Sequence, residues 1–275
     1  MTMPTTRTFN APIEQNDLSR NRLSRALRFV QEQGLGEVLR QVRSYGLRGS
    51  LSFVGRNVRH IIADRIARRW DKTHNVDTAG SIQLKFLDVI GPHRDLGNEC
   101  VCTSPKSFDF IMQHLPQDLS RYTFIDIGAG KSRTLLLASC HGFAKVTGVE
   151  FARELVAISR DNIANFRSAK QKCRDVMIEA GDAAEYAFPN DPLVVYLYNP
   201  FSPEVFDKVL NNLIATLTAS RQECYLVYAS SSNNTIGWAK PAITSSGYFT
   251  ELPVAPMPLF LDAVRTISYA VYRGR

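Results

Sequence analysis

The sequence lacks the features that would carry a chain into or across a membrane. No stretch approaches the roughly 18 continuous apolar residues of a spanning helix. Residues 1–15 contain no apolar core of the kind a secretory signal needs. Neither a transmembrane segment nor export is therefore expected. The five cysteines (Cys100, Cys102, Cys140, Cys173 and Cys224) are odd in number and scattered. That fits a reducing, cytoplasmic location better than a disulfide framework. Cys100 and Cys102 form a C-x-C pair, yet no second Cys/His pair at ligand spacing accompanies it, and the five histidines are dispersed. No metal is expected. Internal repeats are also missing. With 44% hydrophobic and 21% charged residues, the composition excludes wholesale disorder.

Charge is present but unevenly placed. The formal net charge is +7, with 14 Lys+Arg against 6 Asp+Glu in residues 1–72 and 19 against 20 in the remainder. Nearly all the N-terminal basicity is arginine. Residues 1–17 show no periodicity and read as a loose tail. Residues 18–72 read as short amphipathic helices. Leu23, Ala26, Leu27 and Val30 repeat at helical spacing, as do Leu35, Val38, Leu39 and Val42. A third run contains Val54, Val58, Ile61, Ile62 and Ile66 and ends at Arg68-Arg69-Trp70. Two readings stay open for this extension. Its apolar stripes pack on the main domain with the arginines solvated, or the arginines meet an anionic partner. Aromatic interleaving is absent, so nucleic acid is not favoured as that partner.

From Tyr122 onward strands alternate with helices. Tyr122–Ile127, Lys145–Glu150, Val176–Ala180, Leu193–Tyr198 and Cys224–Ala229 read as buried strands, joined by helices over Lys131–Cys140, Arg153–Phe166 and a long one opening at Ser202-Pro203-Glu204. Tyr248–Val254 and Thr266–Arg273 read as two more strands with no helix-length pattern between them. The alternation predicts an α/β domain over 73–275: a doubly wound, mostly parallel seven-stranded sheet with an antiparallel edge strand.

The sharpest local signal is Phe124-Ile-Asp126-Ile-Gly128-Ala-Gly130-Lys-Ser-Arg133, a buried strand turning through glycines into a helix. Such a turn sits where doubly wound sheets bind nucleotides. A phosphate-cradling G-x-x-x-x-G-K-[ST] loop would need its first glycine at Ile125, so Gly130-Lys131-Ser132 is a lookalike. A dinucleotide fingerprint would need a small residue where Arg133 stands, which leaves NAD a weaker alternative. Asp126, two residues before the first glycine, would repel a pyrophosphate and suits a ligand bearing an ammonium.

At these residues the chain resembles the class I S-adenosylmethionine-dependent methyltransferases, from about Pro105 to the C-terminus. Asp126-x-Gly128-x-Gly130 resembles their first motif. Glu150, in Thr147-Gly-Val-Glu150-Phe151, lies 22 residues beyond Gly128 and matches their ribose-binding acid. Gly181-Asp182-Ala183 resembles the adenine contact, and Tyr198-Asn199-Pro200-Phe201 the substrate-facing motif after the fourth strand. The amino-methylating members carry Asn/Asp-Pro-Pro-aromatic there. Phe201 stands here in place of the second proline and Ser202 in place of the aromatic, which weakens any expectation of base flipping. A narrower resemblance is to a bacterial group sharing an Arg-rich N-terminal region, Trp70-Asp71…Val76-Asp77-Thr78-Ala-Gly80 and the Tyr-Asn-Pro-Phe motif. The likeness to the non-SET histone-lysine methyltransferases is looser.

The resemblance implies S-adenosyl-L-methionine as cofactor. Asp126, Gly128 and Gly130 would then hold its methionine part, Glu150 and Phe151 the ribose side, and Asp182 and Ala183 the adenine. Thr103 would cover it, and Asn199, with Tyr198 and Phe201 as walls, would position an acceptor that is a protein side chain or a small molecule. The segment His74–Pro105 is the expected lid. The other functions open to the sequence are a nicotinamide-dependent oxidoreductase and an inactive scaffold on the same fold.

Overall fold

A computed structural model describes residues 62–80, 82, 87–98, 102–231, 233–258 and 267–275. All of these belong to the compact unit Phe53–Arg275, one of two into which the chain divides. The expected tail 1–17 and the helical runs expected over 18–61 lie outside the described residues.

Seven strands form one sheet: β1 (Thr123–Ile127), β2 (Lys145–Glu150), β3 (Val176–Ala180), β4 (Leu193–Tyr198), β5 (Cys224–Ser230), β6 (Phe249–Glu251) and β7 (Ser268–Gly274). Their order is β3-β2-β1-β4-β5-β7-β6. The first five run parallel, while β7 pairs antiparallel with both β5 and β6. This is the mostly parallel, Rossmann-like α/β sheet that the alternation predicts. Among the described residues no helix joins β6 to β7, and the two strands pair antiparallel.

The central strands are buried on both faces, and their alternate residues enter different cores. Phe124, Val194, Tyr196 and Val227 join the side holding α2 (Pro105–Met112) and α3 (Arg133–Ala138). Ile125, Ile127, Val195, Leu197 and Leu226 join the side holding α5 (Pro203–Ser220) and α6 (Asn233–Ser245). A further helix, α4 (Arg153–Asn165), packs along β2 and β3.

Three local findings depart from expectation. Helix α1 covers 62–74, but the stripe expected through Ile62 and Ile66 is exposed. The face turned inward carries Ala67, Trp70, Asp71 and His74, spaced i, i+3, i+4, i+7. Its side is set by a buried Asp71–Arg133 pair and by Trp70 stacked on His74 and Phe166. The boundary expected at 72/73 falls inside this helix. Helix α6 has no counterpart in the sequence expectations, because Gly237 and Pro241 weaken its signal. Tertiary packing holds it: Ala239 and Ile243 are buried, and Trp238 lies edge-on to Phe206 and Tyr228. Finally, Ser202 takes the N-cap position of α5 with Pro203 behind it, yet its hydroxyl makes no capping bond.

Candidate functional site

The strand order reverses between β1 and β4, so their carboxyl ends diverge and leave a crevice. An open cleft of about 910 Å³ lies there. Of the residues expected in the site, Thr103, Asp126, Gly128, Gly130, Glu150, Phe151, Asp182, Ala183, Tyr198 and Phe201 all line it. Asn199 does not.

The turn after β1 is built from backbone. The amides of Gly128 and Ala129 donate to the Val149 carbonyl at 2.9 and 3.0 Å, holding the turn against the end of β2. Gly128 has φ +83°, and a Cβ there would lie 2.5 Å from Pro200 Cβ. A protein neighbour, the loop after β4, therefore demands glycine at this position. Room for the turn and for α3 comes from Gly148 on β2, where a Cβ would lie 2.7 Å from both Ala129 Cβ and Leu135 Cδ1.

Three carboxyl groups reach the cleft from three strand tips, each with different hydrogen-bond partners. Asp126 is 3% exposed. Burial first, and then the nearby Glu150 charge, push its carboxyl up to about 8 against a hydrogen bond from Thr134. Glu150 is also buried, which raises its carboxyl, but backbone amides oppose that shift. The N–H of Gly130 donates to its Oε2 at 2.8 Å and that of Ala152 to its Oε1 at 2.9 Å. Asp182 caps a 3-10 turn (Ala183–Glu185) by accepting from the Ala184 amide at 3.0 Å. Its Oδ2 meets His93 Nδ1 at 2.6 Å, and Lys208 Nζ lies 3.1 Å from His93 Nε2. With an ammonium facing Nε2, the ring accepts there and donates from Nδ1 to Asp182.

The fourth-strand tip is a tight bend. Asn199 has φ +44°, a left-handed conformation that asparagine tolerates better than most residues. Tyr228 Oη donates to its Oδ1 at 3.3 Å. Phe201 is buried and belongs to the α5-side core as much as to the cleft wall. Tyr196, one turn of the pleat inside the strand, is paired in register with Asp126, and its hydroxyl lies 3.3 Å from Thr103 Oγ1.

The expected lid is two structures among the described residues. The first, 71–80, is a strap across the start of α3. Asp71 accepts from the Thr78 and Ala79 amides at 2.8 and 2.6 Å and from Arg133 Nη2 at 2.6 Å. Lys131 Nζ donates to Asp77 Oδ1 at 3.1 Å and to the Ala79 carbonyl at 2.8 Å. Asn162 Oδ1 accepts from the Asp77 amide at 2.7 Å, and its Nδ2 donates to the Asp77 carbonyl at 2.8 Å. The second, 87–98, crosses the cleft mouth from Ala152 to Phe201 through two isolated bridges, Val89↔Ala152 and Gly97↔Phe201. Thr78, His93 and Asn98, expected only as parts of the lid segment, and Lys131 and Arg133, given no binding role by the sequence, also line the cleft. For His93 a signal existed in Gly91, whose φ of +81° and contact with Asp182 Oδ2 leave no space for a Cβ.

No family model and no curated protein matches the chain. Among solved structures it is similar to the glycopeptide N-methyltransferase MtfA, at 14% identity over 68% of this chain and 99% of that one, with a TM-score of 0.47. It is also similar to a precorrin-6y C5,15-methyltransferase from Geobacter metallireducens GS-15, at 16% identity over 62% and 86%, with a TM-score of 0.43. A third likeness is to the [4+2]-cyclase SpnF, at 11% identity over 62% and 80%, with a TM-score of 0.45. At such identities the likeness extends to fold alone.

Proposed function

We propose that the chain is a methyltransferase that uses S-adenosyl-L-methionine and acts on a protein side chain or a small molecule bearing an amine-type nucleophile. The observation that carries this proposal is the convergence of Asp126, Glu150 and Asp182, from three successive strand tips, on one cleft beside a positive-φ glycine turn. The residues present fit a cationic sulfur nucleoside. A buried carboxyl at the turn favours a ligand ammonium and disfavours the pyrophosphate of a dinucleotide. Lys131, the lysine of the phosphate-loop lookalike, is engaged by Asp77 and the Ala79 carbonyl.

When bound, the cofactor supplies a methyl group already activated by a sulfonium, so the protein's work is alignment and exclusion of water. Asp126, Gly128 and Gly130 would hold the methionine part, Glu150 and Phe151 the ribose side, and Asp182 and Ala183 the base, with Thr103 closing from the segment just before α2. Tyr198, Phe201 and the bend at Asn199 would present the acceptor.

Calorimetry with S-adenosylhomocysteine and with NADH tests the assignment. S-adenosylhomocysteine is expected to bind and NADH to give no heat beyond dilution. The reverse pattern would make the protein a nicotinamide enzyme. Binding of S-adenosylhomocysteine without methyl transfer to any protein, nucleic acid, lipid or metabolite pool would favour the scaffold alternative.

A further inference from the structure

Helix α1 turns a second face away from the domain. At about 100° per residue, Ile62, Arg65, Ile66, Arg69, Lys72 and Thr73 share one arc of its surface, apart from the face that holds Trp70 and Asp71 inward. All six are exposed, Ile62 by 45% and Ile66 by 56%. Among the described residues Met177 alone is a further exposed large apolar side chain, so two isoleucines one turn apart are not a sample of a generally apolar surface. The arc carries three cations and no acid. Asp64 lies off it and pairs with Arg68 at 2.7 Å. The Thr73 hydroxyl turns back on its own helix, donating to the Arg69 carbonyl at 2.9 Å. What α1 presents is a short apolar line edged by arginine and lysine.

Charge and shape narrow what can cover that line. A second copy laid on this face would set cation against cation. Residues 1–52 carry eight arginines against four acids, so they too bring excess positive charge. Protein partners are anchored chiefly by aromatic side chains, and Trp70 of α1 is turned inward, stacked on His74 and Phe166. A nucleic acid would pair with the cations and leave both isoleucines in water. An anionic bilayer answers both halves of the face. Its headgroup boundary takes short apolar side chains, while longer basic ones reach outward to the phosphates. We infer that the exposed face of α1 docks the protein on a membrane surface rich in anionic phospholipid, with the helix lying in the plane of the headgroups. Two isoleucines and three cations give shallow, reversible attachment that weakens with salt. The inference does not depend on the methyltransferase proposal.

Flotation of the full chain with vesicles of phosphatidylcholine, alone or mixed with phosphatidylglycerol, tests this. The wild type is expected to float with the mixed vesicles and not with phosphatidylcholine alone. Ile62→Ser combined with Ile66→Ser keeps every charge, and it should lower that partitioning about tenfold while leaving heparin affinity unchanged. Arg65→Gln, Arg69→Gln and Lys72→Gln together should lower it to a similar extent. Thermal melts on each variant separate lost docking from a lost fold. Because residues 1–52 bring arginines of their own, Ile66→Trp serves as a local probe. On mixed vesicles its added emission is expected to shift to the blue, and brominated acyl chains should quench it. A wild type that stays with the unbound fraction would overturn the inference. So would full flotation of the isoleucine variant together with an unshifted, unquenched Ile66→Trp, since the arginines would then act without this face. RNA binding that the isoleucine variant keeps in full, with no flotation, would make the face a nucleic-acid contact instead.

Discussion

Among the three cleft acids Asp126 is the one whose cost to the fold is plainest. Its carboxyl titrates near 8, mainly because it is buried. A carboxyl with a raised folded-state pKa binds its proton more tightly folded than unfolded. Stability therefore falls as pH rises from the ordinary carboxylate range toward about 8. Asp126→Asn keeps the shape and removes that slope, so it should raise stability at neutral pH by about 1–3 kcal/mol, measured by thermal melts across pH. The same change should weaken S-adenosylhomocysteine binding at least tenfold, about 1.4 kcal/mol, because the ammonium loses its counter-charge. In the wild type that affinity should climb as pH approaches 8 and level off beyond it, since the ligand's ammonium favours the ionised acid. A flat affinity profile, or undiminished binding by Asp126→Asn, would remove Asp126 from the site. Acids and glycines of this kind are legible in sequence because they sit at fixed distances from a strand and a helix. His93 and Asn98 are not, since each acts through a partner about 90 to 100 positions away. Gly128 is legible as a close-approach glycine, and the structure adds a protein neighbour, Pro200, to the reasons for it.

At the scale of elements, the strap 71–80 ties α1 to α3 through Asp71, which takes two backbone amides, the Thr78 hydroxyl and the Arg133 guanidinium out of water together. Arg133 also lies over the Trp70 ring, 4.7 Å from its centroid. Asp71→Ala would strand a buried cation and two amides, and it should cost about 3–5 kcal/mol in urea unfolding. The double change Asp71→Leu with Arg133→Met should cost less than that single change, because it leaves no unpaired guanidinium. A single-variant cost below about 1 kcal/mol would mean that solvent reaches the pair. The five parallel strands stood out in the sequence because each is a short, mostly apolar run, four of them ended by glycine, acid or asparagine and β5 by serines. The face of α1 did not, since an Asp–Arg pair and not its isoleucines turns that helix. Nor did α6, where Trp238, Ala239 and Ile243 outweigh Gly237 and Pro241. Propensity is local and weak, and tertiary packing overrides it wherever enough apolar surface is available.

For the whole molecule, the sheet, the cores on its two sides and every described residue lining the cleft belong to the unit that starts at Phe53. Most of the chain's excess positive charge lies before Asp71, whereas residues 73–275 are close to neutral. Binding of a small ligand at the cleft should therefore be separable from any attraction of the arginine-rich region for an anionic partner. A chain comprising residues 53–275 is expected to unfold in a single cooperative transition. It is also expected to bind S-adenosylhomocysteine within about threefold of the full chain, or about 0.7 kcal/mol. Thermal melts and calorimetry on the two chains check this together. Binding of each chain to heparin over a salt series then reads residues 1–52, which carry eight of the thirteen arginines before Trp70, because an electrostatic contact weakens steeply with added salt. If heparin affinity is confined to the full chain while cofactor affinity is shared, the arginine-rich region serves a partner and not the fold. If the shorter chain loses cooperative unfolding, residues 1–52 contribute to the core, and the packing alternative for the extension is the correct one.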